Sequence, residues 1–125
     1  MTYKNRSSME QLRMSLAKKH DIQPTYFNPN QKEIARIQKI VSWYFDVSLS
    51  EMQVETRKRE VVQSRQVAMY FSKNMTNASL RLIGKEIGNK DHATVLQACK
   101  TVTDLMDTDK RFKLQMDEIE KRLKK

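Results

Sequence analysis

Cysteine occurs once in this chain, and glycine and proline twice each. A lone Cys99 can close no intrachain disulfide, and it falls on the apolar seam of a helix, the place of a small core residue in a reducing compartment. No Cys or His cluster has zinc spacing, and His20 and His92 stand far apart in sequence. Apolar residues recur at three and four positions rather than two, which argues against strands. No apolar run approaches membrane-spanning length, and the first residues lack the apolar core of a signal peptide. No Gly-x-x-x-x-Gly-Lys-Ser/Thr loop is present to cradle a nucleotide, and no nucleophile–base pair or paired carboxylates suggest catalysis. The expectation is a cytoplasmic protein that is not an enzyme and takes no metal, cofactor, nucleotide or membrane.

What is abundant is positive charge. Twenty-four Lys and Arg face fifteen acids, for a net charge of +9 and a pI near 9.8. Such a balance favours an anionic partner, although a merely soluble basic protein shares it. The charge is uneven: Arg57 to Lys100 holds nine cations against three acids, whereas Thr101 onward holds seven against six.

The pattern predicts an all-α helical bundle of one domain with a short appendage. Residues 1–30 read as a helical arm and linker. Ser8 to Lys19 is a helix with Met9, Leu12 and Leu16 on one side and a Ser8–Gln11 capping box. Asp21 to Asn30 is a break, whose Tyr26 and Phe27 are expected to pack on the domain. Residues 31–125 hold a helix from Gln31 to Phe45 (Ile34, Ile37, Val41, Tyr44 inward), a short helix capped by Ser50 and ending near Thr56, and a helix from Ser64 to Asn74 (Val67, Phe71, Met75 inward). A helix over Ser79 to Ile87 follows, with Leu80, Ile83 and Ile87 in the core and Arg81 and Lys85 exposed. A last helix, Asp109 to Lys124, sets Phe112, Met116, Ile119 and Leu123 to pack antiparallel on its predecessor across Asp107–Asp109. The methionines read as core filler.

The densest information lies between Ile83 and Val102, IGKEIGNKDHATVLQACKTV. Gly88 suits a left-handed C-terminal cap, Asn89 and Lys90 a tight turn, and Asp91 an N-cap. Val95, Leu96, Cys99, Val102 and Met106 form the apolar stripe of the next helix. Ala93, Thr94, Gln97, Lys100 and Thr101 fall opposite, with His92 nearer the edge. Helix, short turn and capped helix make a helix-turn-helix, whose second helix can enter the major groove by its N-terminal end. A solvated helix face has the same periodicity. Upstream, Arg57, Lys58 and Arg59 are three cations in a row. They suit an arginine entering a narrow minor groove, or an ordinary solvated loop. Arg65 and Gln66 are expected in a first helical turn, where free amides favour an anion; Lys73, Arg81 and Lys85 are phosphate candidates.

KDHATVLQA resembles the signature of the C-terminal DNA-binding domain of the bacterial replication initiator DnaA, a Trp-repressor-like helix-turn-helix. The resemblance begins near Ile37 (IQKIVSWYFDVSLSEM), runs through RKREVVQSRQVAMYFSKNMT and SLRLIGKEIG, and fades after about Leu105. It implies double-stranded DNA as partner, Arg57 in the minor groove, and the Arg65–Gln66 pair on the phosphate backbone. The polar face of the motif's second helix makes Ala93, Thr94, Gln97 and Lys100 candidates for base and phosphate contacts, with Lys90, Asp91 and His92 at its start. Four positions depart from the family pattern: Lys90 replaces Arg, Ala93 replaces Thr, Gln97 replaces His and Ser64 replaces Pro. Ala93 is the change expected to alter base preference most. The family's initiators carry an ATPase module, for which these residues leave no room. The expected role is sequence-specific binding at DnaA-box-like sites, in replication initiation or its regulation. The alternatives are a transcriptional regulator with the same fold on unrelated sites, and a protein-interaction module. The arm is a candidate contact for a protein partner, and the expected state is a monomer or weak dimer.

Overall fold

The computed structural model describes residues 28–125. Among them run six helices and no strand: α1 Pro29–Phe45, α2 Leu49–Gln53, α3 Arg59–Met75, α4 Leu80–Glu86, α5 His92–Thr108 and α6 Lys110–Leu123. The expected helix Ser8–Lys19, His20, Tyr26 and Phe27 lie outside the described residues.

Local chemistry moves several boundaries from where periodicity put them. Asn28 caps α1 by accepting from the Asn30 amide at 2.9 Å. Pro29 fits the first turn, where its missing N–H has no intrahelical partner to lose. The helix therefore starts two residues before Gln31. Ser48, rather than Ser50, caps α2: its hydroxyl accepts from the Glu51 amide at 3.0 Å, and the Glu51 carboxylate accepts from the Ser48 amide at 3.0 Å. This capping box leaves Ser50 inside a helix that ends at Gln53 instead of near Thr56.

The largest correction concerns α3, which begins at Arg59 and not at Ser64. Its N-cap, Lys58, makes no side-chain cap bond. Burial decides the start instead. Val61 is enclosed with Ser64, Arg65 and Ala68, carrying the seam one turn upstream. Fully burying such a side chain contributes roughly 1.5–3 kcal/mol, more than the ~1 kcal/mol of a typical cap. The Ser64 hydroxyl donates to the Glu60 carbonyl at 2.8 Å, an interior helical bond. Arg65 and Gln66 consequently stand in the second turn, beyond the unpaired amides that would hold an anion.

α3 lies at the centre, touching α1, α2, α4 and α5. The seam of α5 is Val95, Ala98 and Val102, with Cys99 half-buried. Leu96 was expected on that seam but is 48% exposed. It stands one residue, about 100°, from Val95, and Ala98 completes the i, i+3, i+7 stripe instead. Phe112, Met116, Ile119 and Leu123 of α6 are all buried as their spacing predicts. A single residue, Asp109, separates α5 from α6, ending one helix and capping the next through a bond from the Phe112 amide at 3.1 Å. α6 also seals against α1, which periodicity did not reveal. Arg36 donates to the Leu123 carbonyl at 2.8 Å, Tyr44 donates to Glu118 at 2.8 Å, and the Arg122 guanidinium lies 4.4 Å from the Trp43 ring centre.

Candidate nucleic-acid interface

The α4–turn–α5 unit has the helix-turn-helix layout. Ser79 caps α4, accepting from the Leu82 amide at 3.1 Å. After Glu86 the chain turns through Gly88 and Asn89, with φ of 84° and 53°. Asp91 then caps α5, accepting from the Thr94 amide at 2.9 Å and the Thr94 hydroxyl at 2.8 Å. Those two bonds, the amide's first, hold the Asp91 carboxyl below its ordinary range and fix the first turn of α5.

Residues distant in sequence fasten the turn. Gln53 accepts from the Gly88 amide at 3.1 Å. Its own amide group donates to Gln38 at 2.8 Å and to the Glu86 carbonyl at 3.3 Å. Gln38 donates to the same Glu86 carbonyl at 3.2 Å. An orphan carbonyl at the end of α4 is thereby satisfied by α1 and α2. Arg65 lies beneath the turn, only 6% exposed, and donates to the Val54 carbonyl at 3.1 Å. A Cβ at Gly88 would stand 3.1 Å from the Arg65 Cδ. Positive φ and the close Arg65 Cδ therefore both favour glycine there.

Between α3 and α5 runs a groove of about 450 Å³. Val62, Arg65, Gln66 and Met69 form one wall, and Lys90, Asp91, Ala93, Thr94, Gln97 and Ala98 the other. It brings together the residues expected at the start of the reading helix with the Arg65–Gln66 pair. Ala93, Thr94 and Gln97 are exposed along it, and His92 is exposed in the same turn. The remaining candidates lie outside the groove. Arg57 and Lys58 are exposed in the loop before α3, Arg59 is its first residue and Lys73 is in its last turn. Arg81 and Lys85 project from α4, and Lys100 from α5. A larger concavity, about 760 Å³ between Tyr44 and α6, includes none of these residues.

The cations differ in what already holds them. Lys58 lies 3.7 Å from Glu51, Lys90 lies 2.8 Å from Glu55, and Lys100 lies 3.1 Å from Asp104. Among the described residues Arg57, Arg59, Lys73, Arg81 and Lys85 make no ion pair, so their charges face solvent and any approaching polyanion. Gln38, Gln53, Glu55 and Gly84 contribute to the site although sequence reasoning passed over them. Only Gly84 carried a signal, being a glycine inside a helix, where it usually marks close packing. Among the described residues no group of three or more His, Cys, Asp or Glu could hold a metal ion, and no helix is long and apolar enough to cross a membrane.

Comparison with known proteins matches residues 34–102 to the family described as bacterial dnaA protein helix-turn-helix. The chain is 59% identical over 87 residues to the chromosomal replication initiator protein DnaA of Flavobacterium psychrophilum, a match covering 70% of this chain and 18% of that protein. It is 55% identical over 89 residues to the DnaA of Bacteroides thetaiotaomicron, covering 71% and 19%. With the DnaA of Levilactobacillus brevis the identity is 42% over 89 residues, covering 71% and 20%. The chain thus spans about a fifth of the length of these curated relatives.

Proposed function

This chain belongs to the bacterial DnaA helix-turn-helix family, an all-helical DNA-binding fold of replication initiation, and from that premise we propose that it binds double-stranded DNA with sequence preference at DnaA-box-like sites. α5 enters the major groove by its N-terminal end, where Ala93 and Thr94 of the first turn and Gln97 of the second meet base edges. Arg57 reaches the adjacent minor groove. Arg59, Lys73, Arg81 and Lys85 supply phosphate contacts and most of the affinity. Arg65 supports the turn from beneath, and Gln66 borders the groove.

The observation that carries this reading is the capped N-terminus of α5, which leaves the small and amide side chains of Ala93, Thr94 and Gln97 exposed, together with an Arg57 that is exposed and makes no ion pair among the described residues. These residues bind and do not catalyse. The 125 residues contain no phosphate-cradling loop, so ATP-driven steps are no part of the work proposed for them. The role is that of a replication-initiation or regulatory factor acting by occupancy of its sites.

Selection from random duplexes tests the proposal. Enriched sequences related to the sites of DnaA relatives, with affinity falling steeply as salt rises, are the expected outcome. Enrichment of unrelated sequences would indicate a transcriptional regulator on the same fold. Salt-insensitive behaviour without enrichment would indicate a protein-interaction module.

A further inference from the structure

Glu55 is an acid set on the surface proposed to meet DNA. Its side chain is 89% exposed, yet its carboxylate lies 2.8 Å from the Lys90 ammonium, whose side chain is only 20% exposed. Lys90 immediately precedes the Asp91 cap of α5, and Glu55 lies two residues before Arg57. One ion pair therefore joins the loop that carries the minor-groove arginine to the start of the reading helix, across 35 positions of sequence. The Lys90 hydrogen bond holds the Glu55 carboxyl below its ordinary range, and Arg65 and Arg57 add to the effect. With the carboxylate side of the pair largely in solvent, its contribution to stability is expected to be modest; what it fixes is the position of the Lys90 ammonium.

Resting on the DNA-binding reading above, we propose that Glu55 is a positioning and specificity-determining residue: it keeps Lys90 paired within the protein on DNA, so that Lys90 sets the spacing of the Arg57 loop and α5 and makes no phosphate contact. A lysine so close to the reading helix would otherwise bind any duplex backbone, adding affinity without sequence information. With Glu55 in place, that charge is withheld from phosphate, and discrimination rests on α5 and Arg57.

The test measures affinity against salt for the selected site and for a scrambled duplex, using the full chain. Glu55→Gln is expected to steepen the salt slope on the scrambled duplex by about one unit, the signature of one new phosphate contact. Scrambled-duplex affinity should rise severalfold, the ratio of specific to non-specific affinity should fall, and the thermal midpoint should stay put. Lys90→Ala should leave the slope of the parent unchanged, and in its background Glu55→Gln should no longer steepen it. Asp117→Asn removes an equal charge on α6 and should move neither quantity. The proposal is overturned if Glu55→Gln leaves slope and specificity ratio unchanged, if its effect persists without Lys90, or if Lys90→Ala flattens the slope of the parent. A parent that binds no duplex removes the DNA-binding reading and this inference with it, whereas a parent that binds while Glu55→Gln has no effect removes this inference alone.

Discussion

The Lys90 amide donates to the Gly84 carbonyl at 2.8 Å, and the same close approach leaves no room for a side chain on Gly84. A Cβ there would overlap the Lys90 carbonyl oxygen and stand 3.2 Å from Val95 Cγ2. On an ordinary exposed helix Gly→Ala gains about 1 kcal/mol in propensity. Here the obstacle is backbone, which cannot rotate away, so Gly84→Ala should instead lose about 1–3 kcal/mol. Urea unfolding midpoints decide the sign. A stabilised variant would mean that the α4–α5 approach is looser than described.

Arg57→Ala removes a side chain with no ion pair among the described residues, so the fold should hold. Specific affinity should weaken by roughly 1–3 kcal/mol, with relaxed preference at the minor-groove positions of the site. Lys85→Ala should instead weaken all duplexes alike and flatten the salt slope by about one. Titrations of selected and scrambled duplexes separate the two patterns. Equal affinity of Arg57→Ala and the parent for the selected site would remove Arg57 from the interface.

Ala93 keeps a methyl suited to the thymine C5-methyl but has no hydrogen-bonding group, and Gln97 one turn later can pair bidentately with adenine. The double substitution Ala93→Thr with Gln97→His restores the residues usual in the resembling family. It should shift preference toward the family's usual site by about 1–3 kcal/mol per altered base pair. Competition between the two sites reads this directly. Identical ranking by both proteins would show that α5 sits in another register.

The Asp91 cap makes part of the stability depend on pH. Its carboxyl is depressed below the ordinary 3.8, chiefly by the Thr94 amide and then by the Thr94 hydroxyl. A depressed folded value means stability that is complete above the unfolded value and lost as pH falls through the folded one. The parent should therefore be more stable than Asp91→Ala at neutral pH, and the gap should close in acid below 3.8. Parallel thermal melts across that range check the sign; a gap that widens in acid would mean the carboxylate is not the capping group.

Much of the molecule was legible because its causes are local. Ser79 and Asp91 cap by bonding to amides three residues on, and Gly88 announces itself by a conformation other residues resist. The α6 stripe appears intact because helical period alone selects a face. Local signals misled where burial outweighed them. The pattern sets a helix start at Ser64, but Val61 had somewhere to be buried, so α3 began a turn earlier. Leu96 looks like core, but the neighbouring helices cover the face of Val95, Ala98 and Val102 instead.

The order of helices, the helix-turn-helix, the basic excess and the candidate reading residues were determined by the sequence alone, through periodicity, capping and composition. Only the tertiary structure decided which cations remain available. Arg65 is enclosed beneath Gly88 by packing between α3 and the turn, and Lys90 meets Glu55 across 35 intervening positions. Gln53 reaches Gly88 over the same separation to fasten the turn. The reason is physical. A cap or stripe is a contact within one helix and repeats with its period, whereas these contacts form only once α1 to α5 have packed and brought unrelated positions within hydrogen-bonding distance.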